Sequence, residues 1–275
     1  IMAGATVNPN GELKDKVAIV TGASRGIGAA IAARLAQEGA RVVATARTAD
    51  EGESRLSGTL TETVEHIKQA GGEARFVKAD LAQVGERERL VETTVASYGP
   101  VDILVNNGAV TYFIPVVDFP EKRLKLMFEV QVFAPFHLAQ LVLPSMKERH
   151  TGWIVNISSG AAFHPKPPYQ AQVGRGGTVY GMCKAALERF TTGLAAEVNA
   201  DGVAVNVVSP GLVETPGTLL HNLVNDATRS RVQPVEYIAE AVYQLCKGDY
   251  RTLTGRIDHA APFLKEMELE PAALI

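Results

Sequence analysis

Val17–Gly39 reads VAIVTGASRGIGAAIAARLAQEG, and its three parts decide how the rest of the chain is read. Val17 to Val20 is a short β-branched run, long enough for a buried strand and too short for a helix. Thr21-Gly-Ala-Ser-Arg-Gly-Ile-Gly28 is a glycine-rich turn. Beyond it Ile27, Ile31 and Leu35 recur at helical spacing until Gly39 stops the run. Strand, glycine turn and helix make the first half of a βαβ nucleotide-binding unit. In such a unit Gly22 allows the tight turn, Gly26 lets backbone approach a phosphate, and Gly28 lets helix and strand pack closely. The helix N-terminus offers free N–H groups and a positive dipole end to a pyrophosphate. An ordinary strand–helix connection rich in glycine would show the same letters, so the turn alone assigns no ligand.

Outward from this unit the same rhythm continues. Arg41–Thr45 reads as a second buried strand, with Ala46 and Arg47 at its carboxyl end, where a parallel sheet places ligand-contacting residues. An acid there would hold a ribose 2′-hydroxyl. This chain offers instead a guanidinium, suited to a 2′-phosphate or simply solvated at the surface. Glu51–Gly58 reads as loop, Leu60, Val64 and Ile67 as a helix face, and Ala74–Ala79 as a third strand ending at Asp80. Leu81, Val84, Leu90, Val91 and Val95 mark another helix, and Val101–Val105 a fourth strand followed by Asn106-Asn107-Gly108-Ala109. Glu121 to about Met146 predicts a long helix, apolar through Leu124, Phe128, Val132, Phe136 and Ala139, with a kink or break at Pro135. Trp153–Ile157 predicts a strand leading to Ser158-Ser159-Gly160, and the Pro- and Gly-rich stretch 161–177 an irregular surface excursion. A helix over about 178–199 and a strand over 203–208 follow, then a polar loop from Leu212 to about Gln233 and a helix over 235–245. A last strand is expected over 253–257. Alternating strands and helices predict a mostly parallel sheet covered on both faces.

Composition narrows the function. A chain of 275 residues suits one α/β domain: an arm over residues 1–13, a Rossmann-type domain over 14–260 and a tail over 261–275. A net charge of −3 offers no basic footprint for nucleic acid. Cys183 and Cys246 are too few for a disulfide framework or a zinc site, and they suit a reducing cytoplasm. Residues 1–16 lack the apolar centre of a secretory signal, and no stretch reads as long and apolar enough to span a bilayer.

Tyr180-Gly-Met-Cys-Lys184 opens the helix after the excursion. Tyrosine and lysine four apart share a helix face, so an ammonium can sit near a phenolic oxygen. A nearby cation is expected to lower the phenol from its ordinary pKa of about 10 and so make it a usable proton carrier. Taken alone, such a pair arises by chance. With the glycine turn, Asp80, Asn106-Asn107-Gly108-Ala109, Ser159 and Ser209-Pro210-Gly211 in one order, it resembles the short-chain dehydrogenase/reductase superfamily over roughly residues 14–258.

That resemblance implies a doubly wound parallel sheet of about seven strands and a nicotinamide cofactor, NADP(H) in preference to NAD because of Arg47. By matching position Gly22, Ser24, Arg25, Ile27 and Gly28 cradle pyrophosphate and ribose. Asp80 and Leu81 meet the adenine, Asn107 and Gly108 line the groove, and Val213 and Thr215 contact the carboxamide. Tyr180 carries the proton to or from an alcohol or carbonyl oxygen, Ser159 polarises that group, and Lys184 holds the nicotinamide ribose. No metal is implied, and a homotetramer or homodimer is.

Three departures from the family pattern stand out. Gln131 occupies the place of an asparagine thought to seat a water that passes protons to the lysine; a glutamine is one methylene longer, and the sequence admits either outcome. Ser159 and Tyr180 lie 21 positions apart, more than is usual, with the excess in the excursion that should overhang the substrate mouth. The stretch 254–261 lacks the paired glycine of many members. Tyr169 has Val173 rather than lysine four residues on, so Tyr180 keeps the assignment. His137 reads as a core or interface residue, His164 as an exposed loop residue, and Cys183 as a packed thiol. Beside the NADP-preferring oxidoreductase two readings remain: an NAD-preferring dehydrogenase, since no second basic residue follows Arg47, or a cofactor-binding sensor or scaffold on the same fold with little turnover.

Overall fold

The structure is a computed structural model that describes residues 6–169 and 176–275. Val173 and Gly174 of the predicted excursion lie outside the described residues. Chain order gives β1 (Val17–Thr21), α1 (Gly26–Gln37), β2 (Arg41–Ala46), α2 (Leu60–Gln69), β3 (Glu73–Lys78), α3 (Val84–Tyr98) and β4 (Ile103–Asn106). The second half holds α4 (Glu121–Phe128), a π-helical turn (Glu129–Phe133), α5 (Ala134–Glu148), β5 (Gly152–Ile157), α6 (Thr178–Val198) and β6 (Val203–Ser209). The rest is β7 (Leu212–Val213), α7 (Pro216–Leu220), β8 (Val232–Gln233), α8 (Val235–Lys247), β9 (Ile257–His259) and α9 (Ala260–Glu266).

Seven strands form one parallel sheet in the order β3-β2-β1-β4-β5-β6-β9. Every residue of β1, β4 and β6 is buried, as expected of central strands covered on both faces. One core layer packs α1 and α8 on the sheet, through Ile31, Leu35, Ile238 and Val242; the other packs α3, α5 and α6, through Leu90, Leu138 and Leu194. Chain order reverses between β1 and β4, and a crevice opens at the carboxyl ends of strands where that happens. Leu13, in the predicted arm, and Phe263 and Leu264, in the predicted tail, are each 1% exposed and so belong to this packing.

The long helix is interrupted just before Pro135: Glu129–Phe133 form a π turn, and Pro135, in the helix that continues from it, has no N–H to donate back into that turn. The extra residue in that turn rotates the helix face. Ala134, Leu138, Ala139 and Val142 are buried, and Phe136, expected on the apolar face, is exposed. Within residues 121–148 one 18-residue window has mean hydropathy 1.5, enough by length and composition alone for a membrane-crossing helix, a test that a core helix also passes. Here that apolar character is spent on the sheet and on α3. The stretch read as a loop from Leu212 to Gln233 contains α7 and the short pair β7–β8. The last strand starts later than expected, at Ile257, because Gly255 turns the chain at φ +70° and Thr254 uses its hydroxyl to bond β6.

Candidate active site

The glycine turn joins β1 to α1 at the crevice. Gly22 has φ +66°, and a Cβ on Gly28 would lie 2.2 Å from the Gly22 carbonyl oxygen, so neither position admits a side chain. The turn is clamped from below. The Thr21 hydroxyl accepts hydrogen bonds from the Asn107 and Gly108 backbone N–H groups at 3.0 and 2.9 Å. The Asn107 amide donates to the Thr21 and Gly22 carbonyls at 3.0 and 3.2 Å. A cleft of about 360 Å³ lies over this turn, lined by Gly22, Ser24, Arg25, Ile27 and Gly28 on one side. Arg47, Asp80, Leu81, Asn107, Gly108 and Thr215 line the other parts of it.

Several lining residues were not expected, among them Val110, Val130 and Gly217; Ser54 and Leu56 come from the segment read only as loop. The Arg25 guanidinium holds that segment, donating to the Ser54 hydroxyl at 3.1 Å and the Gly58 carbonyl at 2.8 Å. Arg25 thus braces the cleft wall, while Arg47 is exposed at the carboxyl end of β2. Val213 lies beside the cleft. Its side chain is buried outside the cleft lining, and its carbonyl accepts a 2.8 Å bond from Thr218 that secures α7. Thr215 does face the cleft, at the cap of α7.

Ser159, Tyr180 and Lys184 converge beside this cleft rather than in its lining. Ser159 follows β5, and its hydroxyl accepts from the Ala161 N–H at 3.2 Å. Tyr180 and Lys184 lie one turn apart on α6, with the Lys184 ammonium 5.6 Å from the Tyr180 ring centroid. Lys184 is buried and donates to the Ile157 carbonyl at 2.8 Å; burial pushes it down to about 8. Burial pushes the Tyr180 phenol up, and a hydrogen bond with Ser159 works against that. The expected lowering by the lysine is not found here: desolvation raises the phenol, and the influence opposing it comes from Ser159. Phe113 packs edge-on against Tyr180 at 5.9 Å and against His221 at 5.2 Å, forming an aromatic wall. His164 is exposed, His137 is half-buried on α5, and the buried Cys183 thiol is pushed up to about 11.

Gln131 lies in the π turn, 1% exposed. Its amide nitrogen donates to the Val110 carbonyl at 2.8 Å, and its amide oxygen, also buried, has no partner among the described residues.

The sheet order and the glycine cradle define a Rossmann-type dinucleotide-binding protein. Residues 16–226 match the short chain dehydrogenase family. An uncharacterized oxidoreductase of Staphylococcus saprophyticus is 36% identical over 234 residues, which span 85% of this chain and 92% of its own. Dehydrogenase/reductase SDR family member 4 of Homo sapiens is 34% identical over 269 residues, covering 92% of this chain and 89% of its own. Among solved structures, a metagenomic short-chain oxidoreductase in complex with NADP is similar at TM-score 0.73 and 31% identity, covering 90% of this chain and 98% of that one. A short chain dehydrogenase of Mycobacterium thermoresistibile reaches TM-score 0.81 at 29% identity, over 94% and 89% of the two chains. The chain belongs to the short-chain dehydrogenase/reductase family of oxidoreductases. The cradle fits the nicotinamide dinucleotide such enzymes use, since no Cβ could stand where backbone must meet phosphate.

Proposed function

We propose that this protein interconverts an alcohol and a carbonyl with NADP(H), Tyr180 carrying the proton. One observation carries the reading: Ser159, Tyr180 and Lys184 meet beside a glycine cradle whose ribose end bears Arg47 and no carboxylate at position 46 or 47. A nicotinamide bound in the cleft supplies hydride to a carbonyl carbon, or accepts it from an alcohol. The backbone N–H groups from Gly22 to Gly28 bind pyrophosphate, and Arg47 pairs with a 2′-phosphate. Asp80 and Leu81 flank the adenine. The Ser159 hydroxyl orients the substrate oxygen, and Tyr180 delivers the proton to it during reduction, leaving a phenolate. Lys184 binds the adjoining ribose and favours that phenolate once it forms. Gln131 holds a water at its unpartnered amide oxygen and so connects Lys184 to solvent. The unpartnered oxygen of Gln131 and the cleft-lining positions of Asp80, Asn107, Gly108 and Thr215 support these roles, alongside the family pattern.

The NADP-bound structural neighbour supports the cofactor choice. The buried free thiols Cys183 and Cys246 support a reducing compartment such as the cytoplasm. An exposed apolar stripe on α5 and α6 supports a homo-oligomer. The test is reduced-nicotinamide absorbance with a panel of carbonyls and both cofactors, for the parent and for Tyr180→Phe. The reading requires that the variant still bind NADPH and lose turnover. Unchanged turnover in Tyr180→Phe would overturn the mechanism, and a parent silent on the whole panel while binding NADPH would favour a sensor or scaffold.

A further inference from the structure

Arg87 is the largest fully buried side chain of the described residues, 2% exposed on the inner face of α3 beside Leu90 and Val91. A buried guanidinium is costly, and an apolar residue of like volume would fill such a position at no loss of stability. What an apolar residue could not do is make the two bonds found here. The Arg87 Nε donates to the Leu81 carbonyl at 2.7 Å, at the adenine end of the cleft. Its second arm is paired with Glu129, the first residue of the π turn.

That turn has one residue more per loop of helix than its neighbours, so its register is the least favoured part of the helix and needs an external tie. Val130, next to Glu129, lines the cleft, and Gln131 follows with its buried amide oxygen unpartnered. We propose that Arg87 is a positioning residue: through Glu129 it holds the π turn in the register that seats Gln131 in the proton path. The bond to Leu81 ties that register to the adenine end of the cleft. The effect on turnover rests on the function proposed above, whereas the effect on the π turn does not.

The test uses the full chain and three variants, Arg87→Met, Glu129→Gln and Gln131→Ala, with two kinds of readout. Amide hydrogen exchange across 129–133 should rise about tenfold in Glu129→Gln while exchange in the sheet is unchanged. On a substrate from the carbonyl panel, kcat should fall about tenfold in Glu129→Gln, part of the ~10²–10⁴-fold that acid–base catalysis supplies. NADPH affinity in that variant should stay within about twofold, because the bond to Leu81 is kept. Combined with Gln131→Ala, neither Arg87→Met nor Glu129→Gln should lower kcat further, since all three act through one group. Additive losses, or unchanged exchange across 129–133, would overturn the proposal. If Arg87→Met does not fold, Glu129→Gln carries each comparison alone. If Tyr180→Phe keeps full turnover the functional reading falls, and the exchange measurement still decides whether Arg87 sets the turn.

Discussion

Lys184 carries a charge that its surroundings oppose. Only the Ile157 carbonyl bonds it, and burial holds the ammonium down at about 8 against an ordinary 10.5. Below the folded value the protein bears the cost of burying the cation. Between about 8 and 10.5 the unfolded chain binds more protons than the folded one, so stability rises with pH across that window. Lys184→Met should therefore raise stability at pH 7, by on the order of 1–3 kcal/mol, while abolishing turnover. Denaturant melts of both proteins check this, and the gap should close as pH approaches 10.5. Tyr180 gives a companion expectation. Its phenol is held above its ordinary value by burial, so it is protonated at neutrality and ready to donate. Carbonyl reduction should be flat from about pH 6 to about pH 8, and alcohol oxidation, which needs phenolate, should climb over the same range. A reduction rate that climbs with pH would contradict this. Arg47 is exposed and lines the cleft beyond the end of β2. Arg47→Ala should weaken NADPH binding by about 1.5–3 kcal/mol, the worth of a hydrogen bond to a charged group, and leave NADH nearly unchanged. Equal losses in titrations with the two cofactors would show that it does not read the 2′-phosphate.

At the scale of elements, the π turn separates what the sequence discloses from what it hides. The β1–α1 unit is legible because each of its signals is local: a β-branched run, glycines at fixed spacing and a period of about four. The strands from β2 to β6 are legible for the same reason, their bounds falling within a residue or two of the patterns, whereas β9 starts four residues after its expected position. A π turn has no such mark. Pro135 marks the neighbourhood of the break, but tertiary ties such as Arg87–Glu129 bear on the residue at which the turn is inserted. Arg87 was visible as a charge on the face carrying Leu90 and Val91, but its partner Glu129 lies 42 residues away. The two-residue strands β7 and β8 are too short for any alternation to show. Likewise, the brace from Arg25 to Ser54 and Gly58 is long-range, whereas the Tyr180–Lys184 pair acquires meaning only with the other motifs. Within the π turn Gln131→Asn should keep turnover within about threefold, since the same donor and acceptor remain and the turn can adjust. Steady-state kinetics check it. A variant much faster than the parent would mean that the longer side chain obstructs the water it was proposed to hold.

At the scale of the whole molecule, the rotation introduced by the π turn puts large apolar groups on the outside. Phe133 and Phe136 are 52% and 47% exposed, and Met182 on α6 is 49% exposed. Phe136 packs against Phe190 at 5.5 Å, so the side chains of α5 and α6 form one surface rather than scattered points. Helices α5 and α6 also carry Pro135 and Lys184 on their inner sides, so whatever covers the outer stripe supports the site from behind. A contiguous aromatic stripe on two neighbouring helices is suited to pairing with its own copy about a two-fold axis, each helix meeting its equivalent. The expected state is a dimer or tetramer of the 29.3 kDa chain. Phe136→Glu should shift the mass toward the single chain, because a carboxylate buried against its own symmetry mate is repelled and desolvated at once. The same variant should lose turnover in step with assembly, with NADPH affinity altered less, since the glycine turn leads into α1, which packs in the other core layer from α5 and α6. Light scattering at micromolar concentration decides the matter: a single-chain mass for the parent, or an unchanged assembly in Phe136→Glu, would refute the pairing through this stripe.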